Sequence, residues 1–119
     1  MHSELLLEHF RNPRNIGRLP PPAITVEVTN PACGDLLLLS ARFEHGCIAE
    51  ARFQVRGCTA SIAAGSALSE WMQGKSRAEL QGLTAETIEL ALGGLEPASK
   101  HAAMLCVDGA KAIARSAVS

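Results

Sequence analysis

The chain has 119 residues, a formal net charge of −1 at pH 7 and an aromatic content of 3%. This length favours one domain, spanning residues 1–119, and the near-neutral charge without a Lys/Arg run argues against nucleic acid or an anionic membrane as a partner. No apolar run approaches the roughly 20 residues of a membrane span, and the first residues do not follow a signal-peptide pattern. We therefore expect a cytoplasmic protein whose four cysteines are free thiols.

The first part of the chain predicts a helix and then a strand. Ser3 is placed to cap a short helix with Leu5, Leu6 and Phe10 along one apolar stripe. A break rich in Asn and Pro ends this helix. After a proline-rich connection, residues 23–29 alternate apolar and polar side chains, which is the period of a half-buried strand.

The stretch 30–35, Asn-Pro-Ala-Cys-Gly-Asp, predicts a rigid turn directly after this strand. Pro31 fixes φ, and Gly34 accepts backbone angles that other residues avoid, so the strand cannot easily continue. The turn sets the thiol of Cys33 two residues from the carboxylate of Asp35. A soft thiolate and a hard carboxylate so close together can form half of a metal site.

A β-hairpin is predicted next, with strands over residues 36–43 and 48–55. The alternation along both strands separates a core face from a solvent face. The predicted core face carries Leu37, Leu39, Ala41, Phe43, Ala51, Phe53 and Val55. The predicted solvent face carries Arg42, Glu50, Arg52 and Gln54.

Two registers of this hairpin remain open. A three-residue loop pairs Phe43 with Cys47 and keeps both phenylalanines of the hairpin on the core face. A two-residue loop pairs Glu44 with Cys47 and splits the phenylalanines between the faces. Either register brings Cys33 and Cys58 to the same end of the sheet, within reach of one ion or small cluster.

Four helices are predicted after the sheet. Their expected starts are Cys58, Ser76, Thr84 and Ser99, and the expected ends of three of them are Gly74, Gly93 and Ala117. Because a helix N-terminus attracts anions, the position of Cys58 suits a thiolate or a negatively charged cluster.

The last predicted helix carries His101 in its first turn and Cys106 on an apolar stripe. Five residues correspond to about 140° around a helix, so these two side chains do not share a face as a ligand pair would. Cys106 is therefore predicted to face the core.

Several pieces of the chain, taken in order, resemble the IscU/NifU-type iron–sulfur cluster assembly scaffolds. The matching pieces are His9-Phe10-Arg11-Asn12-Pro13-Arg14-Asn15-Ile16-Gly17, Ala32-Cys33-Gly34-Asp35, Ala51-Arg52-Phe53, Gly57-Cys58, Glu70-Trp71, Gly74-Lys75-Ser76 and Lys100-His101. Each piece alone would be a weak signal, but the ordered combination spans nearly the whole chain and is specific.

This resemblance implies an α+β fold in which a three-stranded antiparallel sheet has helices packed on one face, the SufE/NifU-like arrangement. It implies a scaffold that is not an enzyme, which binds a transient [2Fe–2S] cluster or its iron and transfers it to acceptor apoproteins. The positions that match the family's cluster and metal ligands are Cys33, Asp35, Cys58 and His101, with Cys106 as a further candidate. The implied partners are a cysteine desulfurase, the acceptor apoproteins, a ferredoxin and an iron donor. Zinc is an alternative metal in the isolated protein.

The chain departs from the family pattern at the third cysteine. The family's cysteine that directly follows the histidine is replaced by Ala102, and Cys106 lies about 6 Å further along the same helix face. Either the helix slides or frays by a turn to bring the Cys106 thiol to the site, or that thiol belongs to the core. The core position is favoured, because a buried cysteine behaves as a small hydrophobe.

A second departure concerns residues 95–99, Leu-Glu-Pro-Ala-Ser, which differ from the family's chaperone-recognition motif, so no dedicated chaperone is predicted. Two other functions compete with the scaffold. One is a zinc-binding sulfur acceptor of the SufU type, which the chain disfavours because it lacks the insertion after the second cysteine and has His101 where those chains have Arg. The other is a metal-free partner of the desulfurase, consistent with Ala102. No ligand role is predicted for Cys47, His2, His9 and His45.

Overall fold

The protein is described by a computed structural model over residues 1–31 and 34–117. The strands are β1 Ile24–Thr29, β2 Leu36–Glu44 and β3 Cys47–Arg56. The helices are α1 Glu4–Arg11, α2 Thr59–Met72, α3 Arg77–Gln81, α4 Ala85–Ala91 and α5 Lys100–Ser116, with a short 3₁₀ helix Pro97–Ser99 before α5. No helix in these two ranges is long and apolar enough to cross a membrane.

The three strands form one antiparallel sheet in the order β1-β2-β3, and this confirms the predicted α+β fold. Its inner face is buried as the alternation predicts, with Leu37, Leu39 and Ala51 all 0% exposed. Two helices pack on this face through glycines. A Cβ on Gly65 of α2 would lie 2.5 Å from Phe53, and a Cβ on Gly109 of α5 would lie 2.8 Å from Leu37. The backbones of α2 and α5 therefore approach the sheet closely.

The hairpin register follows neither predicted alternative along its whole length. The loop has two residues, His45 and Gly46, with φ of 54° and 82°, so the three-residue loop is wrong. Glu44 pairs with Cys47, but the register then shifts because Ala49 of β3 is an extra, bulged residue. The bulge returns Phe43 and Phe53 to the core side, where Phe53 is 1% exposed and Phe43 is half-buried. No single register without a bulge could pair Glu44 with Cys47 and also Ala41 with Ala51, as the structure does.

The predicted helix starts are confirmed, and two details differ. Ser3 accepts a hydrogen bond from the backbone N–H of Leu6 at 3.0 Å, and Ser76 forms a capping box with Glu79. The Thr84 side chain does not cap α4. In α1 the predicted apolar stripe is wrong, since its buried residues are Leu6 and His9 while Leu5 is 55% exposed. His9, which is hydrogen-bonded to Ser66, is buried in α1, whereas the apolar pattern predicted that Leu5 would be.

Candidate metal site

The site begins where β3 gives way to α2. Cys58 is the N-cap residue of α2, with extended backbone angles and no side-chain cap bond, so its thiol is free for other contacts. Cys58 is exposed. As predicted, this thiol therefore stands at the positive end of a 14-residue helix, where backbone N–H groups and the macrodipole favour a bound negative charge.

Asp35 reaches the same place from the neighbouring strand. It directly precedes β2, whose first residue Leu36 pairs with Arg56, so Asp35 stands across from Gly57. Its residue surface is only 6% exposed. A Cβ on Gly57 would lie 2.6 Å from the Asp35 carboxyl carbon, closer than atoms can pack. A glycine is therefore required opposite this carboxylate.

His101, in the first turn of α5, completes a group of three donors. Its Nε2 lies 3.3 Å from Asp35 Oδ2 and 3.6 Å from Cys58 Sγ. Cys58 Sγ lies 3.5 Å from Asp35 Oδ2. One nitrogen, one oxygen and one sulfur thus lie within 4.8 Å of one another, so a single ion can contact all three. This mixed donor set fits Zn²⁺ and Fe²⁺ better than Mg²⁺ or Ca²⁺, which prefer oxygen ligands.

The Asp35 carboxylate is held ionised despite its burial. Burial by itself raises the pKa of Asp35, but hydrogen bonds from Ser61 and Cys58 and the nearby His101 outweigh it, so the pKa lies below its ordinary value. At neutral pH the carboxylate is therefore an anion ready to accept a cation.

The other two cysteines that sequence analysis named as candidate ligands are Cys33 and Cys106. Cys33 lies outside the described residues, so its approach to Cys58 stays a prediction. Cys106 is 1% exposed in the core, as predicted from its apolar stripe, and burial raises the pKa of its thiol to about 12. Cys106 is not in the three-donor group found among the described residues. Ala102, at the family's third-cysteine position, is itself 0% exposed.

Two polar side chains are buried although sequence analysis did not predict their burial. One is Ser61, which lies beside the three donors, and the other is His9 in α1. Ser61 donates its hydroxyl hydrogen to Asp35 Oδ2 and lies 3.4 Å from Cys58 Sγ. The signal for it was its place three residues after Cys58, which puts both side chains on one side of the helix start. His9 lies 2.8 Å from Ser66 Oγ and links α1 to α2. No local pattern marked it as buried.

The site lies open at one end of the sheet rather than inside a cavity. A cavity of about 650 Å³ does exist, but it is lined by Arg42, Phe43 and Arg77 near the hairpin turn and by none of the three donors. His101 keeps 24% of its side chain exposed and Cys58 is exposed. A second protein can therefore approach these two side chains directly.

The fold and the site together define a small α+β domain with a group of nitrogen, oxygen and sulfur donors at one end of its sheet. The chain belongs to the NifU-like N-terminal domain family, whose family model matches residues 1–118. This confirms the resemblance identified from the sequence.

Relatives and one solved structure agree with this family. The chain is 36% identical over 118 residues to the iron–sulfur cluster assembly scaffold protein IscU of Azotobacter vinelandii, covering 96% of this chain and 91% of that protein. It is 39% identical over 116 residues to the iron–sulfur cluster assembly enzyme IscU of Drosophila melanogaster, covering 94% of this chain and 75% of that protein. The crystal structure of a NifU-like N-terminal protein from Brucella abortus has the same fold, with a TM-score of 0.77 at 20% identity over 95% of this chain and 91% of that one.

Proposed function

We infer that this chain is an iron–sulfur cluster assembly scaffold, which holds a cluster or its iron transiently and passes it to acceptor apoproteins. The observation that carries this function is the convergence of Asp35, Cys58 and His101 at an exposed end of a NifU-family domain. The cluster is cargo for such a protein, so the site must be accessible as well as selective.

The ligands we propose are Cys33, Asp35, Cys58 and His101. Two thiolates favour iron and sulfide, and the carboxylate and imidazole complete four positions, as iron in a [2Fe–2S] cluster requires when two ligands serve each iron. The three described donors support this set, because they already face one point within 4.8 Å of one another. Zn²⁺ fits the same four ligands, so the isolated protein is expected to take up zinc when iron and sulfide are withheld.

The mixed ligand set suits a cluster that must leave again. A carboxylate oxygen and an imidazole nitrogen hold iron less firmly than thiolates do, so an acceptor with cysteine thiolates can displace them. The exposure of Cys58 and His101 leaves room for that acceptor. Exchange is therefore expected to begin at the Asp35 and His101 ligands rather than at the thiolates.

Assembly needs sulfur, electrons and iron, which the proposed partners supply. A cysteine desulfurase delivers sulfur at the sulfane level, and each sulfur takes up two electrons to become sulfide. A ferredoxin is the proposed source of those electrons, and an iron donor provides the metal. The chain itself performs no turnover in this scheme, and it works in a reducing compartment such as the cytoplasm, where its thiols stay free.

The function is tested by anaerobic purification and reconstitution with iron, cysteine, a cysteine desulfurase and a reductant, followed by iron and acid-labile sulfide analysis. We expect near-equal iron and sulfide, which are lost in Cys58→Ala. Cys47→Ala is the matched control, because Cys47 is a half-buried cysteine at the start of β3 and should not affect loading.

Three outcomes separate the candidate functions. Iron with sulfide that is transferred to an apo-ferredoxin supports the scaffold. Zinc without sulfide, under conditions that load an ordinary scaffold, would instead support a SufU-type sulfur acceptor. No bound metal under those conditions would leave a metal-free partner of the desulfurase.

A further inference from the structure

The hydroxyl of Ser61 is directed at the same carboxylate oxygen as the other site groups. Ser61 is 1% exposed and donates to Asp35 Oδ2, the oxygen that also lies 3.3 Å from His101 Nε2 and 3.5 Å from Cys58 Sγ. Because Ser61 is the third residue of α2, the same helix start supplies a metal donor, Cys58, and the hydrogen-bond donor to its neighbour. The hydroxyl is therefore positioned to fix the carboxylate.

Gly57 closes the carboxylate in from the other side. A Cβ at this position would lie 2.6, 2.8 and 3.0 Å from the three atoms of the Asp35 carboxyl group. Those distances leave space for the backbone of a glycine and for nothing larger. Ser61 and Gly57 thus form a cradle, one by a hydrogen bond and the other by close packing.

We propose that Ser61 is a positioning residue of the metal site, which holds the Asp35 carboxylate toward Cys58 and His101 in the cradle that it forms with Gly57. Ser61 touches no cargo in this role and acts only through Asp35. The proposal rests on the proposed function for the nature of the cargo, whereas the geometry of the cradle belongs to the described residues.

The physical reason lies in the cost of leaving a buried carboxylate without its donor. Without the Ser61 hydroxyl, Asp35 Oδ2 loses a hydrogen bond in a place that water barely reaches, and the side chain gains by rotating toward solvent. A metal ion would then have to bring the carboxylate back and freeze its rotamer. Outer hydrogen-bond partners of metal ligands typically contribute about 10- to 100-fold to metal affinity.

The test is an anaerobic titration of the full chain with Co²⁺, followed by its thiolate charge-transfer and ligand-field absorption. We expect Ser61→Ala to raise the Kd for Co²⁺ by about 10-fold and to alter the ligand-field bands. Ser66→Ala is the matched control, since Ser66 is a second fully buried serine of α2 and hydrogen bonds His9 at 2.8 Å. It should lower stability by a similar amount and leave the Kd unchanged.

A double-mutant cycle shows whether Ser61 acts through Asp35. In the Asp35→Ala background, adding Ser61→Ala should change the Kd by less than about twofold, because the group it orients is gone. The proposal is overturned if Ser61→Ala binds Co²⁺ like the unaltered protein, or if its effect is as large without Asp35. It is also overturned if the unaltered protein binds no Co²⁺ at these residues.

A second variant keeps the test decisive if Ser61→Ala fails to fold. Gly57→Ala pushes on the carboxylate from the opposite side and should weaken Co²⁺ binding as strongly as Asp35→Ala does. Unchanged affinity in Gly57→Ala would show that the carboxylate needs no fixed position, and this contradicts the proposal. Co²⁺ binding requires neither sulfide nor a desulfurase. A protein that binds Co²⁺ through the cradle but assembles no cluster would therefore refute the proposed function alone.

Discussion

Replacing Cys106 by alanine separates a core thiol from a third cluster ligand. We predict that Cys106→Ala loads iron and sulfide within about twofold of the unaltered protein, whereas Cys58→Ala loses them. The same substitution should reduce the free energy of unfolding by about 1 to 2 kcal/mol, because it removes a buried atom the size of a methylene and leaves a small cavity.

The magnitude follows from the surroundings of the thiol. Burial raises the pKa of Cys106 from its ordinary 9.0 to about 12, which corresponds to roughly 4 kcal/mol of added cost for forming a thiolate there. A Cys106 ligand would therefore either form its thiolate at that cost inside the core or leave a position that is only 1% exposed. Metal binding would need to offset one of these two costs, whereas Cys58 is already exposed.

The assay is anaerobic Co²⁺ titration with thiolate charge-transfer absorption, whose intensity scales with the number of bound thiolates. Chemical denaturation of the metal-free variants gives their stability. If Cys106→Ala lowered the charge-transfer intensity as much as Cys58→Ala, the thiol would leave the core to bind metal, and this reasoning would be refuted. A stability loss without any change in metal binding is the expected result.

Two further predictions concern packing and protonation away from the site. Gly65→Ala should destabilise the fold by about 1 kcal/mol or more, since its Cβ would lie 2.5 Å from buried Phe53 and overpacking outweighs the better helix propensity. His9→Gln should flatten the dependence of stability on pH between about pH 7 and 5. Burial and then Arg14 lower the pKa of His9, against the opposing carboxylates of Glu70 and Glu8, so the unfolded chain binds this proton more readily. Stability is therefore lost as the pH falls through the ordinary histidine range toward the lower folded value.

The predictions for Gly65→Ala and His9→Gln each have a control variant and a result that would contradict them. Gly82→Ala is the control for Gly65, because its Cβ would meet only ordinary contacts at 3.6 and 3.7 Å. Equal melting temperatures for the two alanine variants would contradict the packing argument. His45→Asn is the control for His9, as His45 is exposed in the hairpin turn. An unchanged pH profile in His9→Gln, measured by urea unfolding, would show that His9 protonates equally in both states.

Local patterns predicted the elements well because their causes are local. Alternation defined the strands, since side chains of a strand point to opposite faces, and Ser3 and Ser76 marked helix starts by their capping hydroxyls. Asp35 and Cys58 were also predicted from their places in a turn and at a helix start. These features depend on a few consecutive residues.

The rest depends on contacts between distant segments, which no short pattern records. The spacing of His101 from Cys106 gave no metal motif, and only the family resemblance placed His101 at the site. Ser61 is one of several small residues in the sequence of α2, and only the fold brings Asp35 beside it. The burial of His9 likewise follows from its contact with Ser66, 57 residues away.

The bulge in the hairpin has a consequence at the opposite end of the sheet. With a uniform two-residue register, Asp35 would stand across from Arg56, and a long side chain would occupy the place where the carboxylate now rests. The extra residue Ala49 moves β3 by one position, so a glycine meets Asp35 and the next residue, Cys58, starts the helix. Ala49 thus sets the spacing between the Asp35 carboxylate and the Cys58 thiol without contacting either group. The bulge lies seven residues from Asp35 along β2, which is about 23 Å. Insertions or deletions near the turn would therefore change the residue that faces Asp35, whereas substitution of an exposed residue there, such as Glu44, would not.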